Sequence, residues 1–228
     1  MTARMGGEAD YRQASAFLAD LDPDWAWLVR TVGPCAHAPK PSREPYEALA
    51  RAIAYQQLHA RAGDAMLGRL LASTPGGGFP APAQLLALGA EGLRGCGFSA
   101  NKALALLGIA EARLSGIIPS GEVAATLDDE TLIERLLPLR GVGRWTVEML
   151  LIYSLERMDV LPADDFGVRE GYRRLKGLER QPTRKRMIEI GAAWRPHRTV
   201  AAWYLWRVPA TPTEFERNRR SAAPDGPA

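Results

Sequence analysis

The chain has 228 residues, which is enough to bury a sizeable core in one domain or in two close subdomains. Hydrophobic residues make up 46% of it and charged residues 24%, as in an ordinary globular protein. No apolar run is long enough to span a bilayer, and no signal peptide is recognisable. We therefore expect a cytoplasmic protein without a membrane partner.

The formal net charge is only +3, but it is unevenly spread. Residues 169–220 hold 14 Lys and Arg against 5 Glu, a balance of +9, so the rest of the chain carries −6. A basic C-terminal region suits a polyanion such as DNA. Arginines on solvated helix faces would give the same composition, so the charge alone leaves both interpretations open.

The chain has two cysteines, Cys35 and Cys96, and neither has a Cys or His neighbour at a metal-ligand spacing. We interpret both as reduced thiols. A four-cysteine iron–sulfur cluster is excluded, because it needs four thiolates, and no residue cluster indicates zinc or another divalent metal.

Helical periodicity dominates the chain, no segment alternates as a strand does, and no repeat is present. We therefore predict an all-α fold, with disordered ends at residues 1–10 and 221–228. One helix starts at Asp164 or Asp165, and Ser99, Asp128 and Thr183 are predicted caps of three others. The remaining predicted helices, in chain order, cover residues 24–29, 45–57, 65–71, 83–88, 91–94, 101–114, 131–137, 144–155, 184–194 and 197–208.

Two helical subdomains flanking a cleft are the predicted architecture. Subdomain A comprises approximately residues 11–44 and 157–210, and subdomain B comprises residues 45–156 with a helical hairpin at 131–155. The second hairpin helix, 144–155, is apolar almost all round, as a helix buried at the centre of a protein is.

The turn of this hairpin carries the most informative motif, Leu-Pro-Leu-Arg-Gly-Val-Gly-Arg-Trp-Thr, at residues 137–146. Gly141 and Gly143 leave no side chain in the way of a close backbone approach. Backbone N–H groups at the positive end of the following helix can then bind a phosphate.

A pair of carboxylates follows, Asp164 and Asp165, and Asp165 lies 24 residues after Gly141. Taken alone, the pair is best explained as a cap that suits the dipole of the next helix. Beside a phosphate-binding hairpin, a reactive carboxylate becomes the favoured explanation for one of the two.

With these two segments the chain resembles the helix–hairpin–helix DNA glycosylase superfamily, 3-methyladenine DNA glycosylase II type. The resemblance covers about residues 45–208 and includes Ala-Tyr-Gln-Gln-Leu at 54–58 and Leu-Arg-Gly-Cys-Gly-Phe-Ser-Ala-Asn-Lys-Ala at 93–103. It implies the compact form of the family, without the N-terminal β domain of some bacterial members.

The resemblance implies that Asp165, which matches the family's catalytic position, is the catalytic residue, whereas capping remains the favoured role of Asp164. Its carboxylate would stabilise the cation-like sugar as the N-glycosidic bond breaks, and would orient or deprotonate water. One carboxylate suffices, because an alkylated base is already cationic and leaves without a strong general acid. Relatives that cut the strand through a Schiff base have a lysine at the position of Trp145, so we expect base excision without lyase activity.

The resemblance also implies a base pocket in which a flipped cationic base stacks on aromatic rings. Simple core packing is the alternative for these rings, and it is favoured for Trp203 and Tyr204. Some relatives have a tyrosine at the position of Met149, so we expect a wider or softer pocket at this point than in those relatives. The implied pocket residues are Trp145, Met149, Phe166 and Trp206.

The family pattern places the DNA contacts in two segments. Gln57 is the candidate plug for the gap left by the flipped nucleotide, with Leu58 as the alternative, and His59 would touch the minor groove. Carbonyl groups of Leu137, Leu139 and Val142 would hold a structural Na⁺ or K⁺, and no other cofactor is expected. The implied contacts at the hairpin are Gly141, Val142, Gly143, Arg144 and Thr146.

The sequence thus predicts a monomeric, nucleoid-associated enzyme that removes alkylated bases from duplex DNA without cutting the strand. One alternative is a helix–hairpin–helix protein that binds DNA without chemistry. Another is a glycosylase for uracil or mismatched thymine. The Asp165 position and the flanking aromatic residues favour the first function, because a phosphate anchor needs neither.

Overall fold

A computed structural model of the protein describes residues 7–209, except residues 57, 59 and 77 and the side chain of residue 60. This part of the chain is all-α, as predicted, with a short 3₁₀ helix at Ala192–Trp194 and no β-strand. None of its helices is long and apolar enough to cross a bilayer. The α-helices are α1 (Glu8–Ala19), α2 (Pro23–Val32), α3 (Pro45–Tyr55), α4 (Ala60–Ala72), α5 (Pro82–Gly95), α6 (Ala100–Leu114), α7 (Gly121–Thr126), α8 (Asp129–Leu136), α9 (Arg144–Tyr153), α10 (Phe166–Lys176), α11 (Arg184–Gly191) and α12 (Arg198–Leu205).

The helices form two compact units. The hairpin unit, Pro39–Glu156, contains α3 to α9. The second unit is discontinuous: it combines the described residues up to Ala38 with those from Arg157 onward, and it contains α1, α2, α10, α11 and α12.

Residues 39–44, which the sequence assigned to subdomain A, belong to the hairpin unit. Two contacts hold them there. The Lys40 N–H donates to the Tyr153 carbonyl, and the Glu44 carboxylate accepts a 3.1 Å hydrogen bond from the Gly121 N–H. The boundary therefore follows hydrogen bonds to distant residues, which local sequence does not reveal.

Helix α9 lies in the core of the hairpin unit and packs on α3 and α8. Its side chains Val147, Leu150, Leu151 and Ile152 are almost completely buried. Burial of such a side chain stabilises a fold by about 1.5–3 kcal/mol. The prediction of a largely buried helix is therefore confirmed for this unit, although α9 ends at Tyr153, two residues before the predicted end.

The second unit has its own core, in which α10 packs closely on α12. Gly171 makes this approach possible, because a Cβ at that position would meet the Leu205 carbonyl oxygen at 2.0 Å. Trp203 and Tyr204 are buried in this core, as predicted. The close packing brings the start of α10 beside Trp206, which directly follows α12.

Two helices were not predicted, and each lacks a strong apolar stripe. Residues 8–10, which we expected to be disordered, start α1, and the Asp10 carboxylate accepts a 3.0 Å hydrogen bond from the Gly7 N–H. Helix α1 buries small residues, Ala14 and Ser15, between Tyr11 and Leu18, so its periodicity is weak in the sequence. Helix α7 has only six residues. The predicted break between residues 88 and 91 is a kink within α5, at Gly89.

Candidate functional site

The hairpin turn between α8 and α9 depends on Gly141. Its φ is +78°, and a Cβ there would lie 2.9 Å from the Ala105 Cβ. The Val142 N–H donates to the Leu139 carbonyl at 3.0 Å and closes the turn. Both the left-handed backbone and the close approach to α6 therefore require glycine at this position.

Gly143 is the N-cap of α9 and has no side chain that could cover the start of the helix. Its carbonyl accepts the N–H groups of Thr146 and Val147, at 2.9 and 3.3 Å. A Cβ on Gly143 would meet no atom within 4 Å, so the space in front of the helix is open. The positive end of α9 can therefore receive a phosphate group.

Side chains of the hairpin are less available to DNA than the sequence predicted. Thr146 is 1% exposed, and its Oγ1 accepts a 3.0 Å hydrogen bond from Gln56 Nε2, so its side chain faces the protein interior and the DNA contact at this residue stays a prediction. The Val142 side chain is 5% exposed and belongs to the core. Both residues lie on the buried side of the hairpin, which leaves the backbone as the surface for a phosphate.

Arg144 is held by carboxylates of its own unit. Its guanidinium forms a two-pronged ion pair with Glu130 and lies 3.2 Å from a Glu148 oxygen. The hydrogen bonds that Arg144 donates to Glu130 raise the pKa of Arg144 above its usual range. A phosphate that binds Arg144 must therefore compete with these two carboxylates, and the DNA contact of this side chain stays a prediction.

The connection between α3 and α4 carries the predicted plug. Leu58 is 43% exposed, and its N–H donates to the Tyr55 carbonyl at 3.2 Å. Gln57 and His59 lie outside the described residues. Two residues that sequence reasoning missed hold this connection: Gln56 bonds to the Gly141 carbonyl at 2.9 Å, and Lys102 Nζ bonds to the Gln56 carbonyl at 2.8 Å.

Asp165 is the N-cap of α10 in the second unit, and two donors orient its Oδ1 atom. The Val168 N–H and the Trp206 indole N–H both donate to this oxygen, each at 2.8 Å. Asp165 is half-buried, and its own N–H donates to the Pro162 carbonyl. The carboxylate is thus fixed from both the backbone and a neighbouring aromatic side chain.

The capping role predicted for Asp164 is wrong. A cap accepts the N–H three residues ahead, which at this helix is the Val168 N–H, and Asp165 holds that position. Asp164 is exposed and forms an ion pair with Arg184 at 3.0 Å. Capping and catalysis were treated as alternatives for Asp165, whereas one carboxylate can do both.

The four predicted pocket residues fall in both units. Trp145 and Met149 lie one turn apart on α9 and are half-buried, whereas Phe166 and Trp206 belong to the second unit. Phe166 is 72% exposed, so its ring is accessible to a ligand. Within the second unit the structure brings Trp206 together with Asp165.

The described residues contain no group of three or more His, Cys, Asp or Glu side chains that could hold a metal ion. Cys35 and Cys96 are free thiols, and burial raises the pKa of Cys35 to about 11. The hairpin carbonyl groups suit a monovalent cation, which prefers oxygen ligands. The Leu139 carbonyl accepts the Val142 N–H and keeps a second lone pair for such an ion.

Many arginines of the basic C-terminal region are paired with carboxylates inside the second unit. Glu170 accepts from Arg173, Gln181 and Arg174, and these bonds lower its pKa to about 2. The paired arginines are Arg173 and Arg174 with Glu170, Arg184 with Asp164, Arg186 with Glu189, and Arg195 and Arg198 with Asp159. The local charge is therefore more balanced than the sequence count indicates.

The chain is similar in sequence to known DNA repair proteins. Residues 50–196 match the HhH-GPD superfamily base excision DNA repair protein family. DNA-3-methyladenine glycosylase 1 of Schizosaccharomyces pombe is 47% identical over 199 residues, 86% of each chain. The alkylbase DNA glycosidase-like protein mag2 of the same yeast is 36% identical over 206 residues, 90% of this chain and 97% of the relative.

Two solved structures are similar along most of their length. The first is the S. pombe 3-methyladenine DNA glycosylase in complex with abasic DNA, with a TM-score of 0.81 and 46% identity over 86% of this chain and 95% of that chain. The second is a DNA-3-methyladenine glycosidase from Bacillus halodurans, with a TM-score of 0.74 and 31% identity over 87% of this chain and 89% of that chain.

Proposed function

Because the chain belongs to the HhH-GPD superfamily of base excision DNA repair proteins, we propose that it is a DNA glycosylase for alkylated bases. It hydrolyses the N-glycosidic bond of 3-methyladenine-like purines in duplex DNA and so starts base excision repair. The observation that carries this proposal is the Asp165 carboxylate, which two donors orient at the start of α10. The names of the similar S. pombe proteins support the alkylated base as substrate.

Asp165 acts on the sugar of the flipped nucleotide. As the base leaves, positive charge develops on the sugar, and a carboxylate held in a fixed place stabilises it without reorganisation. The same group can orient or deprotonate the attacking water. Val168 and Trp206 hold Oδ1 in place, so Asp165 is pre-organised for this role.

The reaction ends with an abasic site and an intact strand. Strand cutting by a Schiff base requires a lysine nucleophile in the pocket, and Trp145 occupies the position where relatives carry it. Of the chain's four lysines, Lys102 donates to the carbonyls of Ala54 and Gln56, and Lys176 pairs with Asp22 and Asp24. The other two are Lys40 and Lys185.

The proposed hydrolysis needs water and the Asp165 carboxylate, and no cofactor enters it. Carbonyl groups of Leu137, Leu139 and Val142 would hold a Na⁺ or K⁺ ion, which would add positive charge beside a bound phosphate. We propose that the protein acts as a monomer, in the cytoplasm and on nucleoid DNA.

Base release from defined duplexes tests this function. Each duplex carries one 3-methyladenine, 7-methylguanine, 1-methyladenine, ethenoadenine, hypoxanthine or uracil, and the free base is measured by chromatography. We expect release of at least one alkylated purine, with strand breaks only after alkali treatment. Binding without release of any base would support the non-catalytic alternative, and release of uracil alone would support the third function. Strand breaks without alkali would contradict the absence of lyase activity.

A further inference from the structure

The connection between α3 and α4 begins at Gln56, and this residue is attached to the rest of the hairpin unit at several points. It contains the two plug candidates, and a plug must resist the tendency of the DNA bases to restack. Unstacking a nucleotide costs a few kcal/mol. If the connection could move away from the DNA, the bases would restack and the flipped nucleotide would return to the helix. The attachments made by Gln56 and Lys102 therefore affect how long the nucleotide stays flipped.

Lys102 holds the end of α3. Its ammonium group donates to the carbonyls of Ala54 and Gln56, each at 2.8 Å. The last carbonyl groups of a helix lack partners within the helix, and a cation there also complements the helix dipole. Burial lowers the pKa of Lys102, as expected for an ammonium group withdrawn from water onto carbonyl oxygens.

Gln56 ties the same connection to the hairpin. Its side-chain Nε2 donates to the Gly141 carbonyl at 2.9 Å and to Thr146 Oγ1 at 3.0 Å, so both N–H bonds of the amide are used. Gly141 belongs to the phosphate-binding turn, and Thr146 lies in the first turn of α9. The Gln56 side chain thus links the plug-bearing connection to both the turn of the hairpin and its second helix, α9.

Tyr55 attaches the same end of α3 to α4. Its hydroxyl donates to Asp64 Oδ1 at 2.5 Å, and its ring fills the space that a side chain at Gly63 would occupy. The end of α3 and the first residue of the connection are therefore held against α4 by Tyr55, against α6 by Lys102 and against the hairpin by Gln56.

We propose that Gln56 and Lys102 are positioning residues that hold the plug-bearing connection at a fixed distance from the phosphate-binding hairpin. Capture of a phosphate by the hairpin then presents the connection to the adjacent bases at the depth needed to replace a flipped nucleotide. This inference rests on the proposed function. Neither side chain touches the reacting atoms, so both act through the connection.

Three variants test the inference. Lys102→Met removes the ammonium group, Lys102→Arg keeps a cation that can reach the same carbonyls, and Gln56→Glu puts a carboxylate against the Gly141 carbonyl. Tyr46→Phe is the matched control, because it removes a buried hydrogen bond of the same unit, from Tyr46 to the Pro80 carbonyl, away from the hairpin. Thermal unfolding of each variant verifies that the fold is retained.

The measurement is the ratio of affinities for a duplex with a tetrahydrofuran abasic analogue and for the same duplex without it. A well-held plug favours the duplex that already has a gap. We expect this preference to fall about tenfold in Lys102→Met and in Gln56→Glu, as for the loss of one or two hydrogen bonds, and to persist in Lys102→Arg and Tyr46→Phe. The double variant should lose no more than either single variant, because both residues hold one connection.

An unchanged preference in Lys102→Met and Gln56→Glu would overturn the inference, and so would additive losses in the double variant. Base release by the wild-type protein, measured in parallel, separates this result from the proposed function. A wild-type protein that releases alkylated bases while its variants keep the preference contradicts the positioning role alone. A wild-type protein that releases no base and shows no preference contradicts both.

Discussion

At the scale of single residues, the proposed catalytic residue Asp165 is also the cap of α10. Its Oδ1 atom caps α10 through the Val168 N–H and also accepts the indole N–H of Trp206. A cap needs only an acceptor oxygen, whereas charge stabilisation needs the full negative charge. A substitution that keeps the oxygen and removes the charge therefore distinguishes structure from catalysis.

We predict that Asp165→Asn retains the fold and DNA binding but loses base release. Asparagine can still cap the helix, while the loss of an electrostatic partner of the transition state lowers a rate by about 10²–10³-fold. Single-turnover excision measures this effect. Asp164→Asn is the control, because it removes only an exposed ion pair with Arg184, which contributes below about 1 kcal/mol. Near-native turnover by Asp165→Asn would move the catalytic role elsewhere, first to Asp164.

Trp206 was expected only to line the base pocket, but its indole N–H also orients Asp165. We predict that Trp206→Phe, which keeps an aromatic face and removes the donor, lowers the single-turnover rate about tenfold, as for the loss of one hydrogen bond to a charged group. Affinity for abasic DNA should change little. An unchanged rate would show that the hydrogen bond to Asp165 is dispensable.

At the scale of elements, the two glycines of the hairpin have different tasks. Gly141 has a φ of +78° and touches α6, so it is needed to build the turn. Gly143 has an extended backbone and open space where a side chain would project. A side chain can therefore be added at Gly143 without disturbing the turn, whereas one added at Gly141 would disturb it. Substitution of Gly143 thus tests phosphate binding alone.

We predict that Gly143→Val weakens binding to every DNA sequence alike, by about tenfold, because a branched side chain keeps the phosphate away from one or two N–H donors. Fluorescence anisotropy with several duplexes measures this loss. Gly141→Ala is the contrasting variant: it should destabilise the fold by about 1–2 kcal/mol, the cost of a left-handed non-glycine residue. Full affinity in Gly143→Val would exclude the start of α9 as the phosphate site.

At the scale of the whole molecule, the excess of positive charge is smaller at the surface than the sequence count indicates. Six arginines of the second unit are paired with carboxylates, and Arg144 of the hairpin unit is paired with Glu130 and Glu148. Backbone N–H groups carry no counterions in the free protein. A DNA phosphate that they bind still releases the cations that were condensed around it. Binding should therefore remain sensitive to salt.

We predict that the logarithm of the affinity for duplex DNA falls linearly with the logarithm of the salt concentration. The slope should be about −0.9 for each phosphate contacted, and it should be nearly the same for unrelated sequences. Titrations at several salt concentrations give this slope. A flat plot would show that phosphates do not contribute to binding, and a slope that depends on sequence would indicate direct contacts with bases.

The helices and their caps were predictable from the sequence because both depend on residues close together along the chain. A cap involves residues within one turn, and apolar periodicity extends over a few turns. Ser99, Asp128 and Thr183 each accept the N–H three residues ahead, as the sequence predicted. The weak helix α1 and the short α7 were missed, because their apolar patterns are too faint to identify without the packing around them. Helical periodicity predicted the fold class, and the family motif predicted the function, since the hairpin and the Asp pair are each contiguous in the sequence.

What the amino-acid sequence by itself determined is therefore local: the helical class, most helix boundaries, the glycine turn and the identity of the carboxylate pair. Only the tertiary structure decided which partners each side chain has. Gln56 meets the hairpin across 85 and 90 residues of chain, and Trp206 meets Asp165 across 41. Such contacts arise because helix packing brings distant segments together, and no spacing rule along one segment encodes them. For the same reason, Thr146 and Arg144 were expected at the DNA surface, although packing buries the first and pairs the second.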